Sequence, residues 1–241
     1  MRFWLLILFS LTLDASEIGE ISELSGNGEI NRGDSEVKLN AEIDSDIFSF
    51  DDVRTGNGRL AIQFLDDSVV KLTEHSKLVI DEFIYDPDPA KSKLALNMAS
   101  GTARFITGKL GLINKENISI KTPTASIGIR GTDFTATVDE LGRSLIILLP
   151  NADGTSSGEI TVTTAMGVEI LNEAFQATMV SAWEQEPTPA VTLGGMTLGM
   201  IDNMLIIQKP REVAQAIEEQ ELGVSPTAEL DKDFFEDAPD L

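Results

Sequence analysis

With 241 residues, 42% of them hydrophobic, the chain is long enough to bury a substantial core and too apolar to stay unfolded. Its 40 acidic residues against 18 basic ones leave a net charge of −22, a field that repels phosphate backbones and excludes nucleic acid as a partner. The absence of cysteine and a single histidine, His75, close off disulfide frameworks, thiol catalysis, thiolate metal sites and multi-histidine metal centres.

Residues 1–15 read as a signal peptide. Arg2 supplies a positive start, Phe3 to Leu13 form an apolar run interrupted only by Ser10 and Thr12, and Ala15 offers a small residue for cleavage before Ser16. That run falls short of the roughly 20 residues that span a bilayer. No later segment reaches that length, so the mature chain is expected to carry no membrane span and to be periplasmic or secreted. Without a cysteine, a lipoprotein anchor is excluded.

From residue 17 to 185 the apolar residues recur at every second position: Leu60, Ile62 and Phe64; Leu94, Leu96 and Met98; Phe134, Ala136 and Val138; Leu145, Ile147 and Leu149. Turn signals separate the runs, among them Gly26-Asn27-Gly28, Gly56-Asn57-Gly58, Asp66-Asp67-Ser68, Ser100-Gly101 and Asn151-Ala152-Asp153-Gly154. Short strands with no room for crossover helices predict an all-β sandwich, barrel or solenoid. Glu186-Pro187-Thr188-Pro189 then breaks the pattern. Residues 186–222 read as an apolar segment that covers the β-region, with Met196, Met200, Met204 and Ile207 at helical spacing, followed after Pro210 by a short helix over Arg211 to Leu222. An exposed apolar patch for a partner is the alternative for that segment. The acidic stretch 223–241, with Phe234-Phe235 inside it, reads as a disordered tail.

The segment from Thr122 to Phe134 departs furthest from a generic globular sequence. Pro123 fixes φ and pushes Thr122 to extended geometry, so a strand is expected to enter here. Ala125, Ile127 and Ile129 would share one face, with Gly128 allowing close approach of backbone. Gly131 supplies a corner before Thr132 and Phe134. Arg130, between apolar neighbours, is expected to be a buried clamp between adjacent strands; an anionic ligand is the rival role. The acidic groups Asp44, Asp46, Asp51 and Asp52, and the set Asn151, Asp153 and Glu159, lack the spacing of a calcium loop and read as solvated surface. Asp66 and Asp67 are adjacent and would point to opposite faces, which argues against a carboxylate pair. His75 reads as a surface residue at a turn. No catalytic, cofactor-binding or metal-ligating residue is therefore assigned.

The order Gly19-Glu20-Ile21, Asp52-Val53-Arg54-Thr55-Gly56, Leu60 to Ser68, Leu72 to Leu78, Ser100-Gly101-Thr102-Ala103-Arg104, and Lys121 to Phe134 resembles the FecR domain, over about residues 17 to 180. The family's usual Asp-Gly-Ser turn stands here as Asp66-Asp67-Ser68. The resemblance implies an extracytoplasmic all-β domain, solenoid-like or sandwich-like, without catalytic residues or cofactor. Its best-known members are inner-membrane regulators of iron uptake with an anti-sigma segment and a transmembrane helix ahead of the β-domain. Only the residues before 17 precede it here, so the sigma-factor role is not expected to carry over. The expectation is an exported, non-enzymatic β-module that binds an envelope protein or glycan, in signalling or in surface architecture. The alternative is an enzyme acting on polysaccharide through paired carboxylates.

Overall fold

The computed structural model describes residues 16–33, 37–86, 91–110 and 117–200. The expected signal peptide, Met204 and Ile207, the expected helix over 211–222 and the tail lie outside the described residues.

The described residues form β1 (Glu17–Ser25), β2 (Gly28–Arg32), β3 (Lys38–Asn40), β4 (Asp46–Phe48), β5 (Asp51–Thr55), β6 (Arg59–Phe64), β7 (Val69–Leu72), β8 (Lys77–Ile84) and β9 (Lys93–Ile106). There follow β10 (Ile118–Lys121), β11 (Ser126–Arg130), β12 (Asp133–Val138), β13 (Ser144–Leu148), β14 (Glu159–Thr163), β15 (Val168–Leu171), β16 (Gln176–Val180) and β17 (Val191–Thr192). The fold is all-β.

Strand pairing divides them into two layers joined as one hydrogen-bonded sheet. One layer runs β4-β1-β6-β7-β9-β12-β13-β16-β17. The other runs β3-β2-β5-β8-β9-β10-β11-β14-β15. Both layers face one apolar interior, fed by the alternate residues that the period of two sets on one side of each strand. Ile62 and Phe64 point in from β6, Leu78 and Ile80 from β8, Leu96 and Met98 from β9, Ile127 and Ile129 from β11. Phe64 of the first layer stacks on Phe83 of the second, with ring centroids 5.3 Å apart. Each such side chain contributes about 1.5–3 kcal/mol on burial, so the interior is the dominant stabilising term.

The arrangement is sandwich-like in section and solenoid-like in winding. Beyond the first pair in each layer, β4-β1 and β3-β2, strand numbers climb, and Ile118 of β10 returns to lie parallel beside Leu94 of β9 after one circuit through both layers. β9 belongs to both. Its first half pairs with β8 and β10, its second half with β7 and β12. The sequence marks Ser100-Gly101 as a turn between strands; the structure instead makes it the point where a continuous strand passes from one layer to the other. Gly101 has φ +86°, and a Cβ there would lie 2.3 Å from Ser76 Oγ. Ser76 secures the crossing, accepting from Thr102 N–H (3.0 Å) and donating to the Thr102 carbonyl (3.1 Å).

The turn at Asp66-Asp67-Ser68 is held from within. Asp66 is fully buried and accepts from Ser68 Oγ (2.6 Å), Ser68 N–H (3.1 Å) and Leu110 N–H (3.2 Å). Asp67 has φ +66°, the left-handed conformation that glycine takes without penalty. A second, smaller apolar cluster lies on the outside of the first layer, where Leu193, Met196 and Leu198 pack on Ile147, Leu149 and Ala177.

Candidate functional site

Thr122 to Ala125 closes the turn between β10 and β11, with Thr122 N–H donating to the Ala125 carbonyl (2.9 Å) and Ala125 N–H to Thr122 Oγ1 (3.0 Å). Pro123 therefore occupies a turn and does not begin a strand; its fixed φ suits the second position of a turn as well as an extended entry. Beneath it lies a buried hydroxyl set: Ser144 Oγ is 2.7 Å from both Thr122 Oγ1 and Thr124 Oγ1, and Thr124 Oγ1 reaches the Val180 carbonyl at 3.3 Å. These bonds fasten the turn to β13 and β16 of the opposite layer.

Arg130 is exposed, and the expected buried clamp is corrected. Ile127 and Ile129 point inward, so the period of two turns Arg130 outward, directly across from Glu159 on β14. Gly128 likewise is not a point of close approach, since an added Cβ would meet nothing nearer than 3.9 Å. The clamp falls to Arg104 on β9. Arg104 Nε and Nη2 bind Asp133 Oδ1 and Oδ2 at 2.8 and 2.6 Å, with the side chains only 12% and 19% exposed. No signal in a single sequence pairs those two positions.

Gly131 and Thr132 form the corner at which the chain leaves β11 in one layer for β12 in the other. Gly131 has φ +55°. The carbonyls of Arg130 and Gly131 sit so close to Gly158 that a Cβ there would lie 2.3 Å from each. Thr107 brackets the corner, accepting from Thr132 N–H (3.2 Å) and donating to the Thr132 carbonyl (2.5 Å). Phe134, fully buried, stacks on Phe105 at 4.9 Å and anchors the start of β12. Ser157 accepts from Asp133 N–H (3.0 Å) and donates to the Leu149 carbonyl (2.6 Å), drawing the loop 149–158 over the same corner.

Between corner and loop lies an open groove of about 510 Å³. The Arg104–Asp133 pair, Thr107, Thr132, Asn151 and Ser157 give it polar walls, and Ile106, Pro150, Ala152 and Leu198 give it carbon surface. Thr132 is 3% exposed, and its Oγ1 has no hydrogen-bond partner. At the loop tip the hydroxyl and N–H of Thr155 hold the Asp153 carboxyl below the usual carboxylate range. Of the six motif residues, Gly131 and Thr132 border this groove. Thr122, Pro123 and Phe134 support the fold around it, and Arg130 lies on the outer face beside Glu159.

The acidic groups are dispersed into local pairs. Asp51 is buried against Arg32 Nη1 (3.3 Å) and Phe48 N–H (2.9 Å), whereas Asp52 faces out between Arg54 and Lys77. Burial lifts the Asp51 carboxyl above the ordinary range, only partly offset by Phe48 N–H and Arg32. Burial also acts on Asp52, but its two cations override it and hold that carboxyl low. Asp66 is buried and Asp67 exposed, as their adjacency requires. Among the described residues no three His, Asp or Glu side chains gather to hold a metal, and no helix is long and apolar enough to cross a membrane.

The family model described as FecR protein matches residues 51–150. The matched stretch contains β5 to β13 and, within them or at their ends, Arg104, Thr107, Gly131, Thr132 and Asp133 of the groove. No curated protein matches the sequence. Among solved structures, the chain is similar to a candidate anti-sigma factor from Parabacteroides distasonis ATCC 8503, over 71% of this chain and 91% of that one, at 13% identity and a TM-score of 0.45. A second crystal structure so described, from the same organism, aligns over 71% and 92% at 12% identity and a TM-score of 0.44.

Proposed function

We infer, from the premise that residues 51–150 are a FecR domain, that this chain is an exported, non-enzymatic regulatory module that recognises a component of the cell envelope. The observation that carries the reading is the family match itself, laid over the strand that joins the two layers and the corner that borders the groove. The fold supports such a role physically. The two strands that frame one side of the groove, β9 and β12, are paired on both edges, so recognition there needs no rearrangement of the sheet, while the loop 149–158 supplies the other side. The signal-peptide pattern of residues 1–15 supports placement outside the cytoplasm.

The test is site-specific photo-crosslinking in living cells, with a benzophenone amino acid placed at Asn151 on the groove or at Ile43 on a remote exposed loop. A discrete adduct at Asn151 that is absent at Ile43, together with loss of residues 1–15 from the mature chain, is the expected result. Identical adduct patterns at both positions, or a chain retained whole in the cytoplasm, would overturn the reading.

A further inference from the structure

The charged groups that line the groove are Arg104 and Asp133, and they neutralise each other through two parallel bonds. On a chain of net charge −22 this is a locally neutral wall. An anion would be repelled by the surrounding field and would find its only guanidinium already engaged. A cation would find its only carboxylate engaged in the same way. The other walls alternate hydroxyl and amide groups with carbon surface from Ile106, Pro150, Ala152 and Leu198. Thr107 and Ser157 already use their hydroxyl protons, and Asn151 its Nδ2, within the fold, so what these walls still offer a ligand is acceptor capacity, at hydroxyl lone pairs and at Asn151 Oδ1. An extended peptide cannot add to the sheet here, because β9 and β12 are each paired on both edges.

We propose that the groove binds a neutral glycan, one or two sugar units in length, whose alternating hydroxyls and C–H faces match this alternation of polar and carbon wall. The proposal rests on the reading of the chain as an envelope-binding module and names the ligand class for it. A cavity of about 510 Å³ lies inside the size range of small-molecule sites, about 300–1,000 Å³. No aromatic ring lines it to stack on a sugar face, so each unit binds weakly. Gains in avidity would come from several modules along one polymer.

The test is amide NMR of the full chain titrated with cellobiose, maltose and diacetylchitobiose, and with digalacturonate as the charged counterpart, each to about 10 mM. Saturable shifts at Thr107, Gly131, Asn151 and Ser157 with at least one neutral probe are expected, and binding of the uronate roughly fivefold weaker or absent. Ala152→Leu, which adds bulk on the exposed loop without an aromatic face, should weaken or remove the shifts while the rest of the spectrum is unchanged. Asn151→Ala, which adds no bulk, should weaken binding roughly threefold. Shifts absent from the groove with every neutral probe, tighter binding of the uronate, or an unchanged Kd in both variants would overturn the proposal. If the sugars fail while the Asn151 crosslink still captures an envelope protein and Ala152→Leu abolishes it, the ligand class falls and the module reading stands. If both fail, both fall.

Discussion

Arg104 faces Thr135 across the ladder between β9 and β12, yet it binds Asp133, the diagonal neighbour one pleat back along β12. The diagonal reach is within the span of a long side chain on one face of a sheet. Its effect is to tie the second half of β9 to the first residue after the Gly131–Thr132 corner, so the pair fixes both the layer crossing and one wall of the groove.

Arg104→Ala and Asp133→Ala should each lower stability by about 2 kcal/mol, less than for a fully buried pair because both side chains keep some access to water. The double variant should lose clearly less than the sum, a coupling that a urea-denaturation cycle measures. Arg104→Lys keeps the charge and forfeits the fork, and should cost about 1 kcal/mol.

Arg130→Ala gives the opposite result. An exposed arginine on the outer face should cost under about 0.5 kcal/mol. A loss of several kcal/mol in the thermal melt would restore the buried-clamp role that its apolar neighbours suggest.

Gly101 and Gly128 separate two reasons for a glycine. Gly101→Ala places a Cβ 2.3 Å from Ser76 Oγ and 2.5 Å from its Cα, at a positive φ, and should destabilise by more than about 2 kcal/mol. Gly128→Ala meets only ordinary van der Waals contact with Thr161, at 3.9 Å and an ordinary φ, and should be neutral or stabilising by up to about 0.5 kcal/mol. Chemical denaturation of the two variants side by side decides it.

Asp51 and Asp52 are neighbours with opposite responses to acid. The folded carboxyl of Asp51 lies above the ordinary Asp value of 3.8 because burial opposes its charge, so the native state holds that proton more tightly than the unfolded chain. Its contribution therefore improves as pH falls through the folded value towards 3.8. Asp52 lies below 3.8, and its contribution is present above that pH and lost as pH falls through the folded value. Asp52→Asn should cost about 0.5–1 kcal/mol at pH 7, a difference that closes on acidification. Asp51→Asn should lose ground to the wild type as pH falls. Urea midpoints across that range give both signs.

Much of the scaffold was legible in the chain because a period of two is written locally. Leu60-Ala61-Ile62-Gln63-Phe64 announces a half-buried strand to any reader, and Asp66-Asp67-Ser68 announces its turn. The layer each strand joins is not local, and Ser100-Gly101 shows the limit. A small residue beside a glycine signals a reversal in most strands, and only the close packing of Ser76 shows that here it lets one strand continue. Arg130 was readable and was misread. The inward positions of Ile127 and Ile129 already turn it outward, whereas its immediate neighbours suggest burial. The groove was out of reach, since Arg104, Thr132 and Asn151 meet only after two crossings between layers.

In the first layer β1, flanked on its outer side only by the short β4, and β17 lie towards opposite ends of the strand order. A pull applied between them runs across the strands, so the ladder bonds are loaded a few at a time, as in a zipper, and not in parallel shear. Tension would peel the outer strands first and reach β9 last. Because β9 is bonded in both layers, a load that arrives there is shared between the two faces of the molecule at once.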